Sequence, residues 1–329
     1  MKNFFRLITF AAAFSFFFLA CGDVTDGPAG WTLVSNSTFG NNAINAVAFG
    51  NDVFVAVGAG GRMARSADGI NWTAVSDTTF GNNAINAVAF GNGRFIAGGD
   101  GGRMAFSADN GVTWTAIANN GFLINAIYGI AYGDVGGGRW VAVGRLRMSY
   151  STNAQGTAWT GSSSNDPFGF GQGAPTLRDV VFGDDRFVLV GAGGGQGHSA
   201  SLADSANGIN WTARDMDELL VVPIRSVSFG NGKFVAAVDN MNMILYSADG
   251  AEWNEAEAIP MSTQLFGIAA GGGKFISVGA HGAIYQSDNG ITWTRFPDVT
   301  LNNHFRDIVY GNGTWVAVGL SGAIAYLAD

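Results

Sequence analysis

The chain is poor in charge, in cysteine and in helical pattern, and each shortage excludes something. Charged residues make up 13% of the 329, with 17 Lys and Arg against 25 Asp and Glu, a net charge of −8. That balance argues against a nucleic-acid partner, because phosphate binding needs a basic footprint. One cysteine cannot form an internal disulfide. The three histidines, His198, His281 and His304, lack metal-ligand spacing, so no metal is expected. Four glutamates occur, Glu218, Glu252, Glu255 and Glu257, none set beside a tyrosine as a nucleophile pair. No catalytic residue and no cofactor is therefore predicted. The glycine-rich Gly191 to Gly197 does not lead from a strand into a helix, so it reads as a loop and not a phosphate cradle. Beyond residue 20 no helical period is visible.

The first twenty residues stand apart. Lys2 and Arg6 precede an apolar run, Leu7 to Ala20, interrupted only by Thr9 and Ser15 and ending at the sole cysteine, Cys21. The run is shorter than the roughly 18 to 20 residues that span a bilayer, and it reads as a secretory signal. Phe18-Leu19-Ala20-Cys21-Gly22 resembles a bacterial lipoprotein lipobox, with Phe18 where leucine is usual. The resemblance implies an acylated Cys21, residues 21–30 as a lipidated tether, and a place in the bacterial cell envelope, on the outer membrane or the cell surface. Acyl chains buried at about 0.8 kcal/mol per methylene hold such a protein stably.

What is abundant is glycine, 50 residues of it, among Val, Ala, Phe and Trp. This composition suits short strands joined by tight turns. Ser107-Ala-Asp109-Asn-Gly111-Val-Thr113-Trp114 recurs, shortened or altered, at Ser66 to Trp72, Ser205 to Trp211, Ser247 to Trp253 and Gln286 to Trp293, with a degenerate copy ending at Trp159. The tryptophans Trp31, Trp72, Trp114, Trp159, Trp211, Trp253 and Trp293 follow at intervals of 41, 42, 45, 52, 42 and 40 residues. A period in that range marks a propeller, solenoid or array. Between the tryptophans lies a second motif, such as Phe90-Gly-Asn-Gly-Arg-Phe95 or Tyr310-Gly-Asn-Gly-Thr-Trp315, a hairpin turn between apolar runs. Each repeat thus holds four antiparallel strands, one propeller blade.

The repeats count seven. Thr38 to Asn51 and Thr79 to Asn92 are identical, pointing to duplication within the chain. The last repeat ends after three strands, at Ala323 to Asp329, and the chain supplies an orphan strand at Gly30-Trp31-Thr-Leu-Val34. The prediction is an all-β, seven-bladed propeller over residues 31–329, monomeric, its last blade closed by the N-terminal strand, which removes an aggregation-prone edge.

The Ser-x-Asp-x-Gly-x-x-Trp pattern resembles the Asp-box, or BNR repeat, of sialidases and other propellers. With the Phe-Gly-Asn-Gly-x-Phe turns, the seven-fold pattern is most similar to the photosystem II assembly factor and its bacterial relatives. The resemblance implies a structural turn between the third and fourth strands, built from Asp68 with Trp72, Asp109 with Trp114, Asp249 with Trp253, and Asp288 with Trp293. The residues agree: a carboxylate to accept turn N–H groups, a glycine for positive φ and a tryptophan to pack between blades.

Both uniform turns fall on one face of such a disc. The other face carries the variable connections, including Gly161 to Thr176, Ala192 to Ser199 and Asp215 to Pro223, and all three histidines. Variable loops on a rigid scaffold are the usual seat of binding. Arg178, Arg225 and Arg306 share one repeat position, four residues before the aromatic of the innermost strand, where other repeats place Asn45, Asn86, Tyr128 and Phe266. Converging guanidinium groups there, with His304 nearby, would grip a carboxylate, phosphate or sulfate bidentately. The alternative is local pairing, with Asp179 and Asp307 following two of them.

The expected role is a non-enzymatic, membrane-anchored scaffold that binds an envelope protein or a glycan through its variable face. The alternative is a sialidase-like glycoside hydrolase whose arginines hold a sugar carboxylate. Against it stand seven repeats where sialidases have six, and Pro223-Ile-Arg225 where they carry Arg-Ile-Pro.

Overall fold

The computed structural model describes residues 30–329, except 162–166, 169–174, 194–199, 215, 217–221, 240–242, 258, 260–262 and 297–300. The signal segment, Cys21, most of the tether, His198 and most of the three long variable loops lie outside the described residues. Among those described, no helix is long and apolar enough to cross a membrane.

Seven four-stranded antiparallel sheets form the ring. Blade one shows the pattern: Ile44–Gly50 innermost, then Val53–Gly58, Met63–Ser66 and a short outer strand, Thr73–Ala74. Strand two is buried on both faces, which is why its residues read Val-Phe-Val-Ala-Val and not as an alternation. The turn before it has Asn51 at φ 47° and Asp52 at φ 58°, the paired positive values that match strand twist in a two-residue hairpin.

Closure is as predicted. The last blade comprises Phe305–Gly311, Thr314–Gly319 and Ile324–Ala328, and Thr32–Leu33 pairs onto it with Thr32 opposite Tyr326 and Leu33 opposite Ala325. Trp31 is buried there against Trp315 and Phe305, with Phe296 edge-on at 6.4 Å.

The glycine after each inner-strand aromatic has a second duty that a turn reading does not reveal. A Cβ on Gly50 would lie 2.0 Å from the Phe90 ring of the next blade. The same crowding recurs at Gly91 on Tyr132, Gly133 on Phe182, Gly183 on Phe229, Gly230 on Ala270 and Gly271 on Tyr310, and Gly311 on Phe49 closes the circle. Blade spacing is therefore set by hydrogen atoms where any side chain would wedge the ring open.

The turns between the third and fourth strands share one hydrogen-bond pattern. Ser66 Oγ donates to Asp68 and accepts the Gly69 N–H, Asp68 Oδ1 accepts the N–H groups of Ile70 and Asn71, and Trp72 Nε1 donates to the Gly69 carbonyl. Partial burial opposes its charge, but the Asn71 and Ile70 N–H bonds and the Asn71 amide win, and the Asp68 carboxyl falls to about 2. Asp109 with Trp114 and Asp249 with Trp253 repeat the arrangement. Asp288 does not. In blade six the acceptor is Asn289, which takes the N–H groups of Ile291 and Thr292 and bonds Ser287, while Trp293 still donates to Gly290. The serine is two residues before the acceptor in every box, so the frame runs from Ser287 and places Asp288 one position early.

Candidate functional site

The variable face opens into the central channel through a ring of seven residues, one per blade. Near the start of each innermost strand the register slips: Ile44 faces Gly58, yet Ala46 faces Val57, leaving Asn45 as the extra residue of a β-bulge. The same slip isolates Asn86, Tyr128, Arg178, Arg225, Phe266 and Arg306. A bulge unpairs one residue and re-aims its side chain. Here it turns seven side chains into the mouth of the channel, so the shared position of the three arginines is a structural one.

These residues line a cavity of about 480 Å³, with Gln264, His304 and Leu320 at its rim. The three arginines converge. Burial, then the charge of Arg225, pushes Arg178 below its ordinary value, and Arg306 is pushed down by the same two causes. Arg225 thus sits within electrostatic reach of both.

Local pairing with the following carboxylates is not what holds them. Asp179 receives the N–H of Val227 and the hydroxyl of Ser226 on one oxygen and the N–H of Val180 on the other. Asp307 likewise accepts the N–H groups of Val47 and Ile308. Each carboxylate ties its blade to the next. Both border the narrow lumen below the arginines, in a smaller cavity of about 150 Å³. Burial pushes Asp179 up to about 6 and Asp307 up to about 7, against the pull of those N–H bonds.

The arginines instead have unequal partners. Arg225 pairs with Asp239 at 2.7 Å and lies over the Phe266 ring at 5.5 Å. Arg306 donates to Asn45, Asn45 to Asn86 at 3.2 Å, and Asn86 to Asp100 at 2.8 Å, a relay through blades seven, one and two. Arg178 and Arg306 form no ion pair among the described residues, and Arg178 Nε is buried without a hydrogen-bond partner there. The mouth thus gathers three guanidinium groups that raise one another's electrostatic cost, with Asp239 paired to Arg225 alone.

His304, placed near Arg306 by sequence, does border the mouth, and its ring meets that of His281 at 4.4 Å, tilted by 60°. Among the described residues no three His, Cys, Asp or Glu side chains cluster as a metal site. Sequence reasoning missed Asp239, Asp100 and the asparagine relay. Asp100 and Asp239 begin the second-to-third link of their blades, where other blades carry Ala59, Ala280 or Leu320, and that repeat position was the available signal.

No family model matches the sequence, and no curated protein matches it. Solved structures share the fold across great sequence distance. A structure of YCF48 bound to D1 peptide is 16% identical with a TM-score of 0.69, covering 91% of this chain and 96% of that one. YCF48 from Cyanidioschyzon merolae is 14% identical with a TM-score of 0.66, covering 91% and 99%. A virginiamycin B lyase from Staphylococcus aureus, with quinupristin, is 12% identical with a TM-score of 0.71, covering 91% and 100%. The chain is thus similar in fold to a peptide-bound protein and to an enzyme alike, and its seven-bladed ring is the architecture the repeats predict.

Proposed function

We propose that the protein is a non-enzymatic binding scaffold that holds an anionic group, the carboxylate of an envelope protein or of an acidic glycan, at the arginine mouth of its channel. The carrying observation is the bulge ring, which gathers Arg178, Arg225 and Arg306 at one mouth, where among the described residues only Arg225 has a carboxylate partner, Asp239. YCF48 bound to a peptide supports a protein ligand by analogy of fold. The enzymatic alternative has less support. Asp239 is engaged by Arg225, and the lumen carboxylates Asp179 and Asp307 use both oxygens on neighbouring donors and act as blade ties. Glu252, Glu255 and Glu257 do not line the cavity.

The scaffold is proposed to be monomeric and held at the bacterial envelope by acylation of Cys21, supported by the lipobox-like Leu-Ala-Cys. Mass spectrometry of the mature N-terminus tests the anchor: an acylated Cys21 is expected, and an unmodified cysteine or a different start refutes it. Calorimetric titration of a sialylated glycan into wild type and into the Arg178→Ala, Arg225→Ala, Arg306→Ala triple variant tests the mouth. Binding that weakens with salt and is lost in the triple variant is expected, because part of the attraction is screened Coulomb energy. Equal affinity in the variant overturns the reading.

A further inference from the structure

Blade three departs from its neighbours at two exposed positions where their geometry calls for glycine and asparagine. The loops entering blades one, two and three read Phe39-Gly40-Asn41-Asn42, Phe80-Gly81-Asn82-Asn83 and Phe122-Leu123-Ile124-Asn125. Their frames are the same: the aromatic is buried, and the final asparagine donates from its backbone and side chain to the aromatic's carbonyl. Gly40 and Gly81 sit at φ 58°, and Leu123 sits at φ 56°. A leucine in the left-handed region is an outlier that the turn does not require. It is also 69% exposed, and Ile124 is 85% exposed.

The adjoining link repeats the departure. Two residues past the end of strand two, blades one and two carry Gly60 and Gly101 at positive φ, whereas blade three carries Leu146 at φ 59°, 38% exposed. Its neighbour Arg147 donates to the Gly121 carbonyl, which joins the two loops. Beside Leu123 lies a groove of about 310 Å³ whose wall includes Met104, Ile117 and Arg103. Arg103 lines the groove, Arg145 and Arg147 flank Leu146 in the chain, and none of the three forms an ion pair among the described residues.

We infer that the ridge of Leu123, Ile124 and Leu146, with its groove and three arginines, is a second interaction surface that docks an acidic, aliphatic segment of a partner protein. Charge complementarity selects the sign: three guanidinium groups that form no ion pair among the described residues, on a chain of net charge −8. The groove selects a polypeptide over a bilayer, since a hollow beside a ridge fits a protruding side chain and a lipid surface presents none. This goes beyond the arginine mouth, which involves other residues.

The test uses a substitution the molecule itself supplies. Leu123→Gly with Ile124→Asn gives blade three the loop of blades one and two, so it is expected to fold and to melt no lower than wild type. The probe is a fluorescein-labelled, C-terminally amidated peptide of alternating glutamate and leucine, followed by anisotropy. Wild type is expected to bind it, the loop variant at least about ten-fold more weakly, an effect of roughly 1.4 kcal/mol. The glutamine counterpart is expected to bind weakly, and the same difference of about ten-fold between the two loops is expected when both chains also carry the triple-alanine mouth change, which removes any share of the peptide held at the mouth. The proposal is overturned by absence of binding to wild type, by equal affinity in the loop variant or for the glutamine peptide, by loss confined to the mouth variant, or by preference for phosphatidylglycerol vesicles over the peptide.

Discussion

The two faces of the disc are made by opposite rules. On the face of the serine-aspartate turns the same turn is written again and again, and its serine, carboxylate and indole are satisfied within it: Ser66 by Asp68 and Gly69, Asp68 by Ile70 and Asn71, Trp72 by Gly69. On the opposite face one backbone device, the bulge, presents four kinds of side chain over seven blades, and the Nε donors of Arg178 and Arg225 remain unused among the described residues. Repetition there serves presentation and not satisfaction. The lesson is a separation of duties, in which stability should reside on the first face and recognition on the second.

The largest expected effect breaks the ring that both faces share. In the soluble chain from residue 22, deleting Gly30 to Ser35 removes the outer strand of the last blade and withdraws Trp31 from its pocket. Loss of a buried tryptophan alone costs ~3 to 5 kcal/mol, and the edge of Ile324–Ala328 becomes free to pair with another molecule. Calorimetry should show a large fall in melting temperature and sedimentation should show association. A deletion variant that melts like wild type and stays monomeric would mean that Trp31 does not close the ring.

Next come the arginines, where the comparison can be sharpened within one ring. Each single alanine change should weaken binding of an anionic ligand by about 1.5 to 3 kcal/mol, roughly ten-fold or more. Stability should split differently. Arg225→Ala strands Asp239, which is buried and has one oxygen already without a partner, so this variant should melt lower. Arg178→Ala relieves repulsion from Arg225 and should melt no lower. If both variants melt alike while binding is untouched, recognition does not reside at the mouth.

Why was one face so legible and the other less so? The face of the serine-aspartate turns uses contacts within a few residues of each other, so spacing along the chain carries the whole geometry. The single error, Asp288 for Asn289, arose because an amide accepts the same N–H bonds as a carboxylate and the neighbouring aspartate looked like the better match. The seven blades and their closure were equally readable from the period. At the mouth, sequence located Arg178, Arg225 and Arg306 through their repeat position but could not say what each touches. Asp179 and Asp307 stood next to the arginines in sequence, yet on an extended strand adjacent side chains point to opposite sides, and the bulge alters even that rule. Partners such as Asp239 for Arg225 and Asn45 for Arg306 come from other strands or other blades. Inter-blade contact, which also made the glycine at Gly311 necessary, leaves no local trace.

A pH series reads the two faces in opposite directions. Asp179 and Asp307 have folded values of about 6 and about 7, above the unfolded ~3.9. Their folded state binds the extra proton, so the stability they contribute is complete below about pH 4 and lost as the pH rises through 6 and 7. Asp68, held at about 2, contributes the reverse: stability present above about pH 4 and lost as the pH falls through 2. Melting temperature at constant ionic strength should therefore peak near pH 4 to 5 and decline toward pH 8. Asp307→Asn, which keeps an acceptor for Val47 and removes the charge, should flatten the alkaline limb. A profile unchanged by that substitution would separate the alkaline loss from the channel carboxylates.

The smallest expected effect asks whether the face of the serine-aspartate turns needs its charge at all. Blade four carries Asn207 and blade six Asn289 at the acceptor position, and both make the same pair of N–H bonds that Asp68 makes in blade one. The turn therefore depends on an oxygen in place and not on a carboxylate as such. Asp68→Asn should leave stability at pH 7 within about 0.5 kcal/mol, the range of an ordinary surface change. Asp68→Ala removes the acceptor from two N–H groups and the partner of Ser66, and should cost about 1 kcal/mol, as at a helix N-cap where a side-chain oxygen serves the same purpose. The pair of variants, compared by denaturant midpoint at equal slope, isolates geometry from charge. Equal losses in both would show that the negative charge itself is used, either against the Asn71 amide that bonds its second oxygen or by a cation on this face, and the division between a structural face and a recognition face would then fail at its most repeated element.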